Sequence, residues 1–150
     1  MCLHAVSYQR VPVHKRPWCD AQVITHLALL PGIVIAAARV PPLLELVTLQ
    51  SVVVVLSLIW HRNHERECCL AKIEHLFSHA LFAYGAVQTW FAPSTDVFAV
   101  ELLCASGTLA TYVATTMRPE LWETWHPIGL HLVPGVWSAV IAALHERLFF

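Results

Sequence analysis

Long apolar stretches, separated by prolines and charged residues, dominate the pattern along this chain. A helix needs roughly 20 apolar residues to cross the hydrocarbon core of a bilayer. Five stretches meet that length and predict membrane-spanning helices at residues 21–40, 43–60, 70–91, 95–117 and 127–144. Pro134 predicts a kink within the last span. Tryptophans stand near the predicted span ends, where amphipathic rings favour the headgroup region: Trp18, Trp60, Trp90, Trp122 and Trp125.

Composition supports a membrane environment. Of 150 residues, 57% are hydrophobic and only 13% are charged, whereas soluble domains have about 25% charged residues. We therefore predict an all-α integral membrane bundle of about five helices. It consists of a basic N-terminal segment, residues 1–20, and a bundle, residues 21–150, without a separate soluble domain. The formal net charge of −1 gives no indication of nucleic-acid binding.

The distribution of Lys and Arg predicts the orientation of the bundle. Five spans place seven of these residues on the N-terminal side, namely Arg10, Lys15, Arg16, Arg62, Arg66, Lys72 and Arg118. The opposite side receives two, Arg39 and Arg147. Because positively charged loops stay on the inner side of a membrane, the N-terminus is expected on that side.

Histidine is unusually frequent, with ten in the chain. The five-span topology places most of those at membrane level on the N-terminal side: His26, His61, His75, His79, His126 and His131; His145 lies opposite. Three or four such side chains can hold zinc, and two facing histidines can ligate a haem iron. They can also simply lie among the lipid headgroups. Glu101, inside the fourth span, predicts either a proton or ligand site or a protonated carboxyl that donates to a neighbouring helix.

Two segments carry a family resemblance. Residues 27–39, LALLPGIVIAAAR, followed by Ser57-Leu58-Ile59-Trp60-His61, resemble the CREST superfamily, which includes alkaline ceramidases, adiponectin receptors and myomaker-like proteins. The resemblance implies a seven-span fold with zinc held by three histidines. In that family a Ser-x-x-x-His pair ends one span, an Asp opens the next, and an HxxxH pair opens the last.

Residues of this chain can be matched one by one to the motif positions of the family. Ser57 and His61 match the first pair in identity and spacing, and Glu74 stands near the Asp position with a longer side chain. His126 and His131 stand for the final pair but are five residues apart, so their rings would lie about 140° apart on a regular α-helix. We expect them to converge only if Pro127 lies in the first helical turn and His126 precedes the helix. The chain is also two spans shorter than the family.

Three functions from different classes fit these observations. We favour a non-catalytic accessory subunit of a larger organellar membrane complex, respiratory or ATP-synthesising, in the mitochondrial inner membrane. This role implies other membrane subunits and lipids as partners and no cofactor. The alternative is a zinc-dependent intramembrane lipid amide hydrolase, with His61, His126 and His131 as ligands and Ser57 and Glu74 assisting the attacking water. The third is a haem- or quinone-binding electron carrier that uses His75 or His79 with His131.

Overall fold

The computed structural model describes residues 15–63 and 69–145, and this part of the chain is all-α. It contains five helices: α1 Ala21–Ala38, α2 Leu44–Arg62, α3 Cys69–Trp90, α4 Thr95–Met117 and α5 Pro119–Leu144. The predicted fold class is confirmed. Most of the basic N-terminal segment and residues 146–150 of the predicted bundle lie outside the described residues.

Side-chain caps fix two of the helix starts. Asp20 accepts a hydrogen bond from the backbone N–H of Gln22 at the start of α1, and Ser94 accepts one from Val97 at the start of α4. Such caps satisfy N–H groups that have no partner within the helix. The first four predicted spans agree with the helices to within two residues at each end.

Helix α5 extends beyond the start of the predicted fifth span. Helix α5 begins at Pro119, eight residues before the predicted start at Pro127, with one tight turn at Pro119–Leu121. Proline is well tolerated in the first turn of a helix because the N–H that it lacks would have no intrahelical partner there. Pro127 instead lies inside α5, which explains why its sequence position was misleading.

Four helices of the described part are long and apolar enough to cross a membrane: α1, α2, α4 and α5. Helix α3 has sufficient length, with 22 residues. It is less apolar because it carries Lys72, Glu74, His75 and His79. Multiple membrane passes are thus supported by four helices, while the crossing by α3 and the orientation of the bundle stay predictions.

The five helices pack as a closed ring. Each consecutive pair is in contact, α1 also packs against α5, and α5 contacts α3 across the ring. Short connections make consecutive helices antiparallel. The starts of α1, α3 and α5 therefore meet the ends of α2 and α4 at one end of the bundle, which we call the histidine end because His26, His61 and His131 lie there.

Apolar packing holds the opposite end together. Its buried cluster contains Leu43, Leu46, Trp137 and Ile141. The outer surface is apolar as well. Helix α4 has the smallest buried fraction of the four long apolar helices, and Leu103 and Met117 are among its exposed side chains. A soluble domain does not leave so many large apolar side chains in contact with water, so this surface suits lipid.

Candidate functional site

Three buried histidines meet at the histidine end. His26 of α1, His61 of α2 and His131 of α5 each offer a ring nitrogen, and these three atoms lie within 4.8 Å of one another. Neighbouring ligand atoms of a tetrahedral zinc with bonds of 2.0–2.1 Å are about 3.4 Å apart. Side-chain shifts of about 1 Å would therefore bring the three nitrogens to bonding distance of one ion.

Hydrogen bonds fix which nitrogen two of these rings present. Thr25 Oγ1 is 2.5 Å from the carbonyl oxygen of Ala21 and 2.7 Å from Nδ1 of His131. The single hydroxyl proton is donated to the carbonyl, so the Nδ1–H of His131 must be the donor in the second bond. His26 Nδ1 lies 3.2 Å from the carbonyl oxygen of Val23 and can only donate to it. Both rings consequently keep the lone pair of Nε2 for a ligand.

A fourth buried histidine lies beside the triad. The ring centroid of His126 is 4.7 Å from that of His131 and 5.1 Å from that of His61. The ring of His126 also packs against that of Trp122, with centroids 3.7 Å apart. Its Nδ1 atom is buried and has no hydrogen-bond partner within the described residues. His126 therefore has a ring nitrogen available next to the triad.

A π-helical segment brings His126 and His131 together. Residues Pro127–Leu132 form one wide turn in the middle of α5, in which hydrogen bonds join residues five apart rather than four. Residues at this spacing lie nearly above one another, which an α-helix does not allow. Pro127 and Pro134 lack the N–H groups that carbonyls four residues earlier would accept, and this loosens the ladder. The prediction that the two rings converge only if His126 precedes the helix is wrong, because His126 is within the helical segment Trp122–His126 and its ring still meets that of His131.

Close packing of α5 on α4 accompanies the wide turn. A Cβ atom at Gly129 would stand 2.0 Å from Oγ1 of Thr111 and 2.4 Å from its Cβ. No side chain fits at that position without displacing one of the two helices. Gly129 therefore permits the approach that keeps the π turn against α4.

A buried carboxylate lies next to the triad. Ser57, one turn before His61 on α2, donates to Oε1 of Glu74 at 2.5 Å. Ser78 donates to the same oxygen at 2.7 Å, and Nδ1 of His75 is 3.2 Å from Oε2. Hydroxyl donors stabilise a carboxylate that is only 5% exposed and hold it in one orientation.

The histidines and Glu74 open into a cavity of ≈290 Å³ inside the helical ring. Its walls beyond the histidine end are mainly apolar and aromatic; they include Leu29, Val53, Leu81, Phe82, Leu109 and Ile141. Pockets of this kind, apolar with a few converging polar groups, are typical of small-molecule sites. The arrangement suits a molecule with an apolar chain and one polar group.

Arg16 closes the polar side of the histidine end. Its guanidinium bonds both carboxylate oxygens of Glu123 at 2.8 and 3.1 Å, and Arg62 donates to its backbone carbonyl at 2.7 Å. The paired geometry is the strong form of Arg–carboxylate contact. It ties the segment before α1 to α5 and α2 directly beside the buried histidines.

The fold and site together define an all-α protein with several candidate membrane spans and a buried histidine triad. Comparisons with known family models, curated proteins and solved structures found no match. No family is identified, and the CREST resemblance rests on the motifs alone.

Every residue of the predicted zinc site lines the cavity: Ser57, His61, Glu74, His126 and His131. His75 and His79 do not belong to the triad; His79 bonds the backbone of its own helix and contacts Tyr112. His26 was not predicted as a ligand. Its sequence position at the start of the first span, on the same side as His61, was the one signal that could have identified it.

Proposed function

We propose that this protein is a zinc-dependent intramembrane hydrolase that cleaves a lipid amide in the cavity of the bundle. The observation that carries the proposal is the convergence of three buried imidazole nitrogens beside a buried carboxylate, at the polar end of an apolar cavity. His26, His61 and His131 are the proposed ligands, and Ser57 and Glu74 assist the water. Relative to the family pattern, His26 joins the ligand set and His126 becomes a neighbour of it.

The side chains present fit zinc. Imidazole is a preferred zinc ligand, and catalytic sites hold the ion with three protein groups and leave one position open. Two of the three rings already have Nδ1–H engaged, with Val23 and Thr25, as ligating histidines usually do. When bound in such a site, zinc polarises a carbonyl and makes a coordinated water acidic near neutral pH.

Glu74 is the proposed general base. Its carboxylate takes a proton from the water as the water oxygen bonds to the amide carbon. It then gives that proton to the leaving nitrogen as the carbon–nitrogen bond breaks, so that an acid and an amine are released. The hydroxyls of Ser57 and Ser78 both bond Oε1, which keeps the carboxylate oriented for both transfers.

The cavity supports a lipid as the substrate class. Its lining runs from Glu74 to Tyr84 along α3, and ten helical residues rise about 15 Å. A channel of that length with apolar walls suits an extended acyl chain whose amide group lies at the histidines. The choice of an amide over an ester follows the CREST resemblance.

A role as accessory subunit of a respiratory or ATP-synthesising complex stays a prediction, as does the mitochondrial inner membrane as its location. We rank it second because it gives no function to a buried histidine triad beside a carboxylate. The two proposals differ in native size, since a subunit is expected to copurify with other membrane proteins in a mild detergent. The haem or quinone proposal ranks third because His75 and His79 lie outside the triad.

Zinc content and amide hydrolysis, measured on the same purified protein, test the proposal. We expect about one zinc per chain and release of free fatty acid from a fluorogenic long-chain acyl amide. H61A should lose both. Glu74→Gln should keep the zinc and lose hydrolysis, because an amide cannot accept the proton.

His79→Ala is the matched control for zinc, since this ring lies at the same end of the bundle but outside the triad, and the variant should keep the zinc content unchanged. Zinc binding without hydrolysis of any acyl amide or ester would contradict the catalytic role. Absence of stoichiometric zinc from protein purified without chelators would contradict the metal site.

A further inference from the structure

Hydroxyl groups that line the cavity mostly have a protein acceptor for their proton. Ser138 donates to the carbonyl of Gly135 at 2.9 Å, and Thr116 donates to that of Tyr112 at 2.7 Å. Ser78 donates to Glu74. These hydroxyls are engaged within the protein, so they contribute little to binding a ligand.

Thr108 differs from the other threonines of α4. Thr111, Thr115 and Thr116 each donate to a carbonyl four residues earlier, which is the usual bond of a helical threonine. Thr108 lines the cavity and is 7% exposed, and its hydroxyl oxygen is buried without a hydrogen-bond partner within the described residues. A buried hydroxyl without a partner is costly in apolar surroundings. A ligand oxygen in the cavity would satisfy it.

A chain of hydrogen bonds determines the role of a second hydroxyl, that of Tyr84. At the end of the bundle opposite the histidines, Glu101 Oε1 is 2.7 Å from His145 Nε2. His145 Nδ1 is 3.1 Å from Gln88 Oε1. Gln88 Nε2 in turn donates to the hydroxyl oxygen of Tyr84 at 2.8 Å.

The positions of the protons in this series of hydrogen bonds decide whether the Tyr84 oxygen donates or accepts. If His145 is charged, both ring nitrogens donate; if Glu101 is protonated, it donates to Nε2 and the ring proton is on Nδ1. The remaining arrangement would place two acceptors, Nδ1 and Gln88 Oε1, face to face. In either allowed arrangement the oxygen of Tyr84 accepts from Gln88, so the Tyr84 hydroxyl acts as a donor to another group. Glu45 is close enough for its charge to act on Tyr84.

The two hydroxyls lie on the side of the histidines that faces Glu101. Tyr84 is ten residues beyond Glu74 on α3, about 15 Å along the helix axis. Thr108 is one turn from Thr111, which packs against Gly129 between His126 and His131. An acyl chain that extends from the triad towards Glu101 would therefore meet Thr108 about one helical turn beyond the histidines.

We propose that the lipid in the cavity carries an oxygen on its acyl chain, a keto or hydroxyl group beyond the amide, which hydrogen-bonds with Thr108 and Tyr84. This inference rests on the proposed function, which places the amide at the histidines and the acyl chain in the rest of the cavity. Saturated chains without such an oxygen leave the Thr108 hydroxyl without a partner and should bind more weakly. The two hydroxyls thus select oxygenated chains over plain ones.

Binding of matched lipid probes tests this selection. Saturated fatty amides and the corresponding oxo-amides, with the keto group moved along the chain, are titrated into chelator-treated protein by calorimetry. We expect one keto position to bind about tenfold more tightly than the plain chain, the effect of one satisfied buried hydrogen bond. Thr108→Val and Tyr84→Phe should each reduce this preference.

Thr116→Val is the matched control, because Thr116 also lines the cavity but its hydroxyl donates to the backbone. This variant should prefer oxo chains over plain chains as strongly as the unaltered protein does. Thr108→Val replaces a hydroxyl without a partner by a methyl group of similar size, so folding should be preserved. Equal binding of plain and oxo chains at every keto position overturns the proposal, as does a preference that survives both substitutions. The titration needs no zinc, so it is independent of the hydrolysis assay. A protein that prefers oxo chains but does not hydrolyse amides would contradict only the proposed function. A protein that hydrolyses amides but binds plain and oxo chains equally would contradict only this inference.

Discussion

The imidazole rings of His126 and His131 meet edge to face along α5 with centroids 4.7 Å apart, although five residues separate them in the sequence. Helix α5 achieves this through the π-helical turn Pro127–Leu132. A π turn is less favourable than an α turn and usually occurs at functional sites. The distorted segment is thus the part of the fold most directly coupled to the candidate metal site.

Gly129→Ala should damage the site through packing. The added Cβ would stand 2.0 Å from Thr111 Oγ1, so α5 must shift away from α4 and His131 moves with it. We expect a loss of about 1–3 kcal/mol in stability and weaker zinc binding. Thermal unfolding in detergent and a zinc titration measure the two effects.

Gly107→Ala is the control for this substitution, because nothing lies within 4 Å of the added atom. Alanine is the better helix former by about 1 kcal/mol, so the variant should be as stable as the unaltered protein or more so. Similar destabilisation by both substitutions would refute the packing explanation.

Thr25→Val should weaken the metal site without removing a ligand. Thr25 Oγ1 accepts the Nδ1–H of His131 at 2.7 Å, and loss of such a supporting bond typically costs 10–100-fold in metal affinity. Competition with a chromogenic chelator measures the zinc affinity. Thr25→Ser keeps the hydroxyl and should restore most of it; an unchanged affinity in Thr25→Val would show that His131 is not a ligand.

Ser57→Ala should slow hydrolysis and leave zinc binding intact. The substitution removes one of two hydroxyl donors to Oε1 of Glu74, while Ser78 still donates to that oxygen. We expect kcat to fall by about tenfold, the effect of one lost charge-assisted hydrogen bond. A lower zinc content in this variant would instead indicate that Ser57 supports the ligands.

Glu101→Gln and Glu101→Ala separate the protonation states of the buried pair. Gln can still donate to His145 Nε2, which lies 2.7 Å from Glu101 Oε1, so it should be tolerated if the pair is neutral. Glu101→Ala leaves His145 without this partner and should cost about 1–3 kcal/mol. Thermal unfolding measures both variants. Equal losses in Glu101→Gln and Glu101→Ala would indicate an ion pair.

The length of the apolar stretches predicted the helices well because span length is set by bilayer thickness. The start of α5 was missed because a proline can begin a helix or lie within one, and the apolar stretch itself begins only at Pro127. The π turn was also not predicted, because it depends on the contact between Gly129 and Thr111 across two helices. Such a contact leaves no periodic signal.

The candidate site was predicted in part for a related reason. Ser57 and His61 were recognised because they match the Ser-x-x-x-His pair of the CREST resemblance in identity and spacing. His26 was missed because the turn Thr25–Leu29 is wound more tightly than an α-helix, which changes the direction of its side chain relative to a regular helix. Only the packing of α1 between α2 and α5 brings His26 to His61 and His131.

Zinc-edge X-ray absorption on the purified protein, with and without His26→Ala, is the most direct test of the metal site. We predict one zinc per chain bound by histidine nitrogens at about 2.0–2.1 Å, without sulfur ligands, and fewer nitrogen ligands or loss of zinc in His26→Ala. No stoichiometric zinc, or a spectrum unchanged by His26→Ala, would contradict a metal site formed by His26, His61 and His131.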